Sequence, residues 1–180
     1  MNKRIYLITG PSGAGKTTIS DHLISLGHAS IDADGTQGIS YFVNQNGKPV
    51  PYPQDANASW WDTHHYVWEL DRLRKLIDAT NPTDGLVFVA GNAANINKGW
   101  DIFDAVYYLD LPKDIMTKRM AGKDRENSFG RRIEEQDQLL RWVEKFKVDM
   151  LELGAITVDA TKSVAQVTDD ILGRIKAAGR

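Results

Sequence analysis

The chain has 180 residues, 42% of them apolar and 26% charged, which is enough hydrophobic content for one globular core and excludes a disordered tail or a multidomain assembly. Lysine and arginine total 22 against 24 aspartates and glutamates, and the formal charge of -2 excludes a global electrostatic footprint for duplex nucleic acid or an anionic membrane. Cysteine is absent, so disulfides, thiolate metal sites and thiol catalysis are excluded. No apolar run approaches the ~18 residues of a membrane span, and no basic-then-apolar leader opens the chain. The expectation is a single cytoplasmic domain over 1–180, a monomer or homodimer with no membrane partner.

In chain order, Lys3 to Thr9 reads as a buried strand, and Thr17 to Leu26 as a helix with Ile19, Leu23 and Leu26 on one side. His28 to Asp32 is a short second strand. Residues 35–58 are rich in glycine, asparagine and proline, the mark of a surface insertion, and Asn46-Gly47 within them predicts a small hairpin. Helical patterns follow at 59–79, 112–121, 133–153 and 163–178. Strands are expected at Leu86 to Ala90, Ala105 to Leu111 and Ala155 to Asp159. Strands separated by helices predict a three-layer α/β domain with a mainly parallel sheet.

Gly10-Pro11-Ser12-Gly13-Ala14-Gly15-Lys16-Thr17 fits G-x-x-x-x-G-K-[ST] at every fixed position, between a predicted strand and a predicted helix. Small residues let backbone N–H groups turn inward as an anion nest, and the helix N-terminus adds partial positive charge. Ser12, Gly13, Ala14, Gly15, Lys16, Thr17 and Thr18 are therefore candidates for binding a nucleotide's phosphates. Lys16 can reach the β- and γ-phosphates, and the Thr17 hydroxyl can ligate Mg²⁺.

This loop, close to the N-terminus of a chain below 200 residues with a basic segment before the last helices, resembles that of the P-loop kinases of the nucleoside monophosphate kinase and shikimate kinase type. The resemblance implies a P-loop NTPase fold with a five-stranded parallel core in the order 2-3-1-4-5. It also implies ATP as phosphoryl donor with Mg²⁺, and a lid.

Asp32 and Asp34 stand at i and i+2 at the carboxyl end of the second strand, where both can point into the crevice above the sheet. Phosphoryl transfer needs one carboxylate near the metal and another to orient or deprotonate the attacking hydroxyl. The D-x-D is similar to that of shikimate kinase, which implies metal support for Asp32 and contact with the acceptor's hydroxyls for Asp34. The third strand ends LVFVAGNAAN without an acid, which removes a metal carboxylate from that strand and strengthens the case for Asp32. Gly91 permits close backbone approach there, and Asn92 and Asn95 are either pocket-lining or ordinary turn residues.

Residues 118–132 carry six basic and two acidic side chains, and 122–132 within them are expected to form the lid. The resemblance implies Arg119 against the adenine and Arg125 on the phosphates. Arg131 and Arg132 are left to donor or acceptor, and Arg141 to an anionic acceptor. It also implies that the loop with Thr161 and Lys162 skirts the purine, while Ser163 reads as the N-cap of the last helix.

Three of the five tryptophans fall within Trp60 to Trp68. On a continuous helix Trp61, His65, Trp68 and Arg72 form one stripe, which either lines an acceptor pocket or packs under the insertion or at an interface. His64 and His65 have no zinc spacing. The sequence departs from shikimate kinase in lacking the glycine triplet after the third strand and an acceptor arginine in the second helix. The expected activity is transfer of the γ-phosphoryl of ATP to a small-molecule acceptor bound in the region 33–80. Phosphorylation of a nucleoside or nucleotide, with Trp61, Trp68 or Tyr41 stacking on a base, and nucleotide binding without transfer stay open. A nucleic-acid acceptor is disfavoured because the basic residues cluster rather than form a track.

Overall fold

The computed structural model describes residues 3–121 and 133–179, so the expected lid at 122–132, with Arg125, Arg131 and Arg132, lies outside the described residues. Five parallel strands form the central sheet: β1 (Arg4–Thr9), β2 (Ala29–Asp32), β6 (Leu86–Ala90), β7 (Ala105–Asp110) and β8 (Ile156–Asp159). Three further strands, β3 (Ser40–Asn44), β4 (Pro49–Val50) and β5 (His64–Trp68), form a separate antiparallel sheet in the order β4-β3-β5. The parallel order is β2-β6-β1-β7-β8. The label 2-3-1-4-5 counts five strands, and the numbering differs because the antiparallel strands intervene between the second and third of them.

Alternation along the strands gives the central sheet two buried faces. Tyr6, Ile8, Leu86, Phe88, Tyr107 and Leu109 pack toward α1 (Lys16–Ser25) and α6 (Val164–Ala178), through Ile19, Leu23, Val167 and Ile171. Leu7, Val87, Val89, Val106 and Tyr108 pack on the other side with Leu73 and Ile77 of α3 (Leu70–Ala79). Helix α5 (Ile133–Glu152) serves both clusters, with Leu139 and Val143 in the first and Phe146 and Met150 in the second. Helix α4 (Lys113–Met120) adds Met116 and Met120 to the first. Among the described residues no helix is long and apolar enough to cross a membrane.

The predicted hairpin is present. Gly47 takes φ +73°, and the Asn44 side chain accepts from the backbone N–H groups of Asn46 and Lys48, both at 3.0 Å, between β3 and β4. The predicted helix over 59–79 is not continuous. Asn57 caps a short α2 (Ala58–Thr63) by accepting from the Trp60 N–H, and the chain then turns extended at His64. Residues His64 to Trp68 pair antiparallel with β3, Phe42 opposite Tyr66 and Val43 opposite His65. The aromatic and β-branched residues of HHYVW suit a pleated surface, and β3 supplies the pairing partner that overrides the helical spacing. Trp61, His65, Trp68 and Arg72 therefore lie on three elements and form no stripe. A 3₁₀ segment, Ile96–Ile102, follows β6 and had no counterpart among the expected elements.

The β1 turn fits closely against its neighbour. Gly10 has φ +150°, and a Cβ there would stand 2.9 Å from the Leu109 carbonyl oxygen and 3.0 Å from the Leu109 Cβ. Gly10→Ala is expected to cost roughly 2 kcal/mol and lower Tm by about 4–8 °C, measured by thermal unfolding.

Candidate functional site

The carboxyl ends of β1, β6 and β2 lie side by side because β6 pairs with the other two, placing Ala90 opposite Ile8 on one side and Asp32 on the other. A cavity of about 1290 Å³ opens above these ends. Ser12, Gly13, Ala14, Gly15, Lys16, Thr17 and Thr18 line it, with Asp32, Asp34 and Asn92 opposite.

Within the loop, Gly13 and Gly15 take φ +83° and +96°. Gly15 is the N-cap of α1, no side chain among the described residues caps that helix, and its first turn lines the cavity. The Lys16 ammonium donates to the carbonyls of Gly10 at 3.1 Å and Pro11 at 3.2 Å, which folds its charge over the loop. An anion nest with an adjacent ammonium is the donor set that a polyphosphate requires, so the residues fit a nucleotide. The Thr17 hydroxyl donates to Asp32 Oδ2 at 3.1 Å. A hydroxyl and a carboxylate oxygen side by side beside a phosphate loop form a hard-oxygen pair suited to Mg²⁺ with its retained waters.

Asp32 is held in place by its own turn: its Oδ1 accepts from the backbone N–H groups of Asp34 and Gly35, both at 3.0 Å. Asp34 is fixed differently. Its Oδ1 accepts from the Trp68 indole N–H at 3.3 Å and from the Asn92 backbone N–H at 3.2 Å. Among the described residues Oδ2 has no partner, which leaves it for a ligand. Burial pushes the Asp34 carboxyl above its ordinary range, and the nearby Lys16 charge together with the two donors offsets only part of that rise. Tyr66 lines the same wall, and burial followed by the Asp34 charge pushes its phenol up to about 12.

Trp68 is buried at 2% exposure and stands behind Asp34 rather than in the cavity. Gly91 does not line the cavity either. It has φ +154°, and a Cβ there would come 2.7 Å from Trp68 Cζ2 and 3.0 Å from Asp34 Oδ1. Its bareness lets the tryptophan and the carboxylate meet. Asn95 likewise serves the fold, exchanging hydrogen bonds with the Trp68 backbone at 2.9 Å.

At the other end of the cavity, Arg119 donates to the Ala160 carbonyl at 3.1 Å and reaches the Gly13 carbonyl at 3.5 Å, tying the phosphate loop to the loop after β8. Lys162 lines the cavity there, as does Ser163, which caps α6 through a reciprocal bond pattern with Gln166. Thr161 does not line it, because its N–H and hydroxyl both turn to Asp159 Oδ1, at 3.0 and 2.6 Å. Arg141 is also outside. It is exposed and bonds Gln138 at 2.9 Å, while Gln138, Leu139 and Trp142 carry the cavity-facing side of α5.

The wall beyond Asp34 is aromatic. Trp61 and His65 line it, the first of the two alternatives for them, joined by Phe42, Tyr52, His64 and Tyr66, which the sequence did not single out for the pocket. Phe42 is the hub, with ring centroids 5.0 Å from Tyr66, 5.1 Å from Tyr52 and 5.7 Å from Trp61. Tyr41, one of the three residues offered for stacking on a base, is its strand neighbour; it does not line the cavity and bonds Glu69 at 3.3 Å. The signal available in the sequence was the alternation of β3 and β5, which gives Phe42 and Tyr66 a common face once the strands pair.

Comparisons with known proteins agree with this geometry at the level of the fold. The chain is similar to shikimate kinase from Acinetobacter baumannii in complex with shikimate, with TM-score 0.64 and 21% identity over 99% of this chain and 95% of that one. It is similar to deoxyadenosine kinase from M. mycoides with bound dATP, with TM-score 0.56 and 14% identity over 96% and 99% of the two chains. A gluconokinase from Sinorhizobium meliloti 1021 gives TM-score 0.53 and 16% identity over 95% and 90%. All three are P-loop kinases, and the chain has their fold. In sequence, 79 residues are 32% identical to a nucleotide-binding protein of Gluconobacter oxydans (strain 621H), a match spanning 44% of this chain and 25% of that protein. No family model matches the chain.

A carboxyl whose pKa is raised by folding stabilises the fold when protonated, and that contribution is lost as pH rises through the folded value. Asp34→Asn keeps an acceptor for Trp68 and Asn92 and removes the buried charge. At pH 7 the variant is expected to unfold at higher temperature than the unsubstituted protein. The difference should vanish as pH falls toward the ordinary carboxyl value of 3.8, measured by thermal unfolding across pH.

Proposed function

We propose that this chain is an ATP- and Mg²⁺-dependent phosphotransferase that moves the γ-phosphoryl group to a hydroxyl of a small molecule, with 1–180 acting as one kinase domain. The observation that carries the reading is the Thr17–Asp32 hydrogen bond in the same cavity as Lys16 and Asp34. It puts a metal-type oxygen pair, a phosphate-type cation and a second carboxylate around one space. The fold likeness to three kinases supports it.

In this reading the loop amides from Ser12 to Thr18 and the Lys16 ammonium hold the phosphates and oppose the charge on the transferring group. Thr17 and Asp32 would hold Mg²⁺, which when bound neutralises phosphate charge. Arg119, Lys162 and the Ala160 backbone form the nucleoside end. Asp34 Oδ2 accepts the proton of the attacking hydroxyl as the new O–P bond forms and the bond to the ADP oxygen breaks. A carboxylate with a raised pKa is a better base for that proton than an ordinary one. Nothing covalent to the protein is needed, because positioning and fixed charge do the work.

Lys16→Ala is expected to lower transfer by about 100-fold or more with the circular dichroism spectrum kept, measured as acceptor-dependent ADP release. Asp34→Asn is expected to lower turnover by a similar factor while nucleotide affinity changes less than about twofold. Full activity of Lys16→Ala contradicts the reading, and ATP binding without transfer to any acceptor leaves only a nucleotide-binding module.

Trp68→Phe removes a donor that lowers the Asp34 pKa, so that pKa rises further. The acid limb of the pH–rate profile is expected to move to higher pH, whereas a purely structural Trp68 would change the rate without moving the limb.

A further inference from the structure

The acceptor side of the cavity has a definite chemistry. Its acid is Asp34, beside the Asp32 that pairs with Thr17, and its faces are the rings of Phe42, Tyr52, Trp61 and Tyr66, with His64 and His65 on the same wall. Among the described lining residues the lysines and arginines are Lys16, Arg119 and Lys162. Lys16 is bonded to the phosphate loop, Arg119 bridges that loop to Ala160, and Lys162 follows β8. All three belong to the nucleotide side. A carboxylate or phosphate on the acceptor would meet the Asp34 carboxylate beside an aromatic wall, a desolvated position in which like charges repel.

Two polar groups on that side have unused capacity. Asp34 Oδ2 accepts nothing among the described residues, while Oδ1 takes both the Trp68 and the Asn92 donors. Asn92 lines the cavity next to it, and its side-chain Oδ1 is buried with no hydrogen-bond partner among the described residues. A buried amide oxygen left bare is costly, and a ligand hydroxyl is the natural donor for it. Two acceptors side by side suit two neighbouring hydroxyls. Flat rings at 5.0–5.7 Å around Phe42 suit the apolar face of a ring.

We propose that the acceptor is an uncharged ring compound with two neighbouring hydroxyls, one held by Asp34 for transfer and the other by Asn92, its ring face laid on the Phe42–Tyr52–Trp61–Tyr66 wall. This rests on the phosphotransferase reading. It separates the chain from enzymes that recognise an acceptor through its carboxylate or phosphate. A nucleoside and a sugar or cyclitol share this chemistry.

The test uses matched pairs that differ in charge, namely adenosine and AMP, uridine and UMP, and glucose and glucuronate, with myo-inositol as a further neutral ring. Each is titrated against the full chain with a non-hydrolysable ATP analogue, reading tryptophan fluorescence, and each is assayed with ATP for ADP release. The expected result is that the neutral member of at least one pair binds at least tenfold more tightly than its anionic counterpart. The nucleoside and sugar arms then tell the two sources apart. Asn92→Ala is expected to weaken the preferred neutral compound about tenfold and to leave the affinity for the ATP analogue unchanged. Tyr52→Ala, at a ring 38% exposed, gives a second variant of the wall with little effect on folding and the same expected direction. Tighter binding of the anionic members, binding of no panel compound, or full affinity in both variants overturns the inference. Tight neutral binding with no ADP release keeps it and instead refutes the phosphotransferase reading.

Discussion

The hydrogen bond between Thr17 and Asp32 joins two segments that are distant in sequence and adjacent only because β6 lies between β1 and β2. That pairing brings the first turn of α1 against the end of β2. Without it the phosphate loop is a helix start with no carboxylate near it, and the two aspartates are an ordinary turn. The parallel register is itself held by two apolar faces packed with Leu7, Ile8, Val87, Phe88 and Val89, none of them more than marginally exposed. Burial of this surface is what keeps polar groups at the strand ends within hydrogen-bond reach.

Asp34 illustrates how the fold stabilises a group that burial opposes. Desolvation raises its pKa, and the Trp68 and Asn92 donors with Lys16 act in the other direction. Both donors go to Oδ1, so the carboxylate is fixed in orientation while its second oxygen stays open. Gly91 makes this possible by having no side chain where Trp68 and Asp34 come together. The orientation of Asp34 thus depends on a buried tryptophan and a glycine that do not line the cavity. Such supporting contacts decide whether a site is held to a fraction of an ångström.

The antiparallel sheet gives the cavity its individual character. It enters between β2 and α3, where an insertion disturbs neither the parallel sheet nor the phosphate loop. Its alternation turns Phe42 and Tyr66 to one face while Tyr41 turns to Glu69. Variation in such an insertion can change what the cavity presents without disturbing the sheet beside it.

The sequence by itself determined the phosphate loop, the five parallel strands, most of the helices and the Asp32–Asp34 pair. These are local signals: glycine spacing, apolar runs and turn chemistry act over a few neighbouring residues. It also marked Arg119, Lys162 and Ser163, whose positions follow directly from the ends of α4 and β8. Tertiary structure alone decided that His64 to Trp68 is a strand, because the ladder that β3 offers outweighs a helical spacing that was equally compatible with the aromatic residues. It also decided that Thr161, Gly91 and Arg141 face away from the cavity. Which side of a loop or helix meets a ligand depends on partners such as Asp159, Trp68 and Gln138, whose arrangement in space no linear spacing encodes.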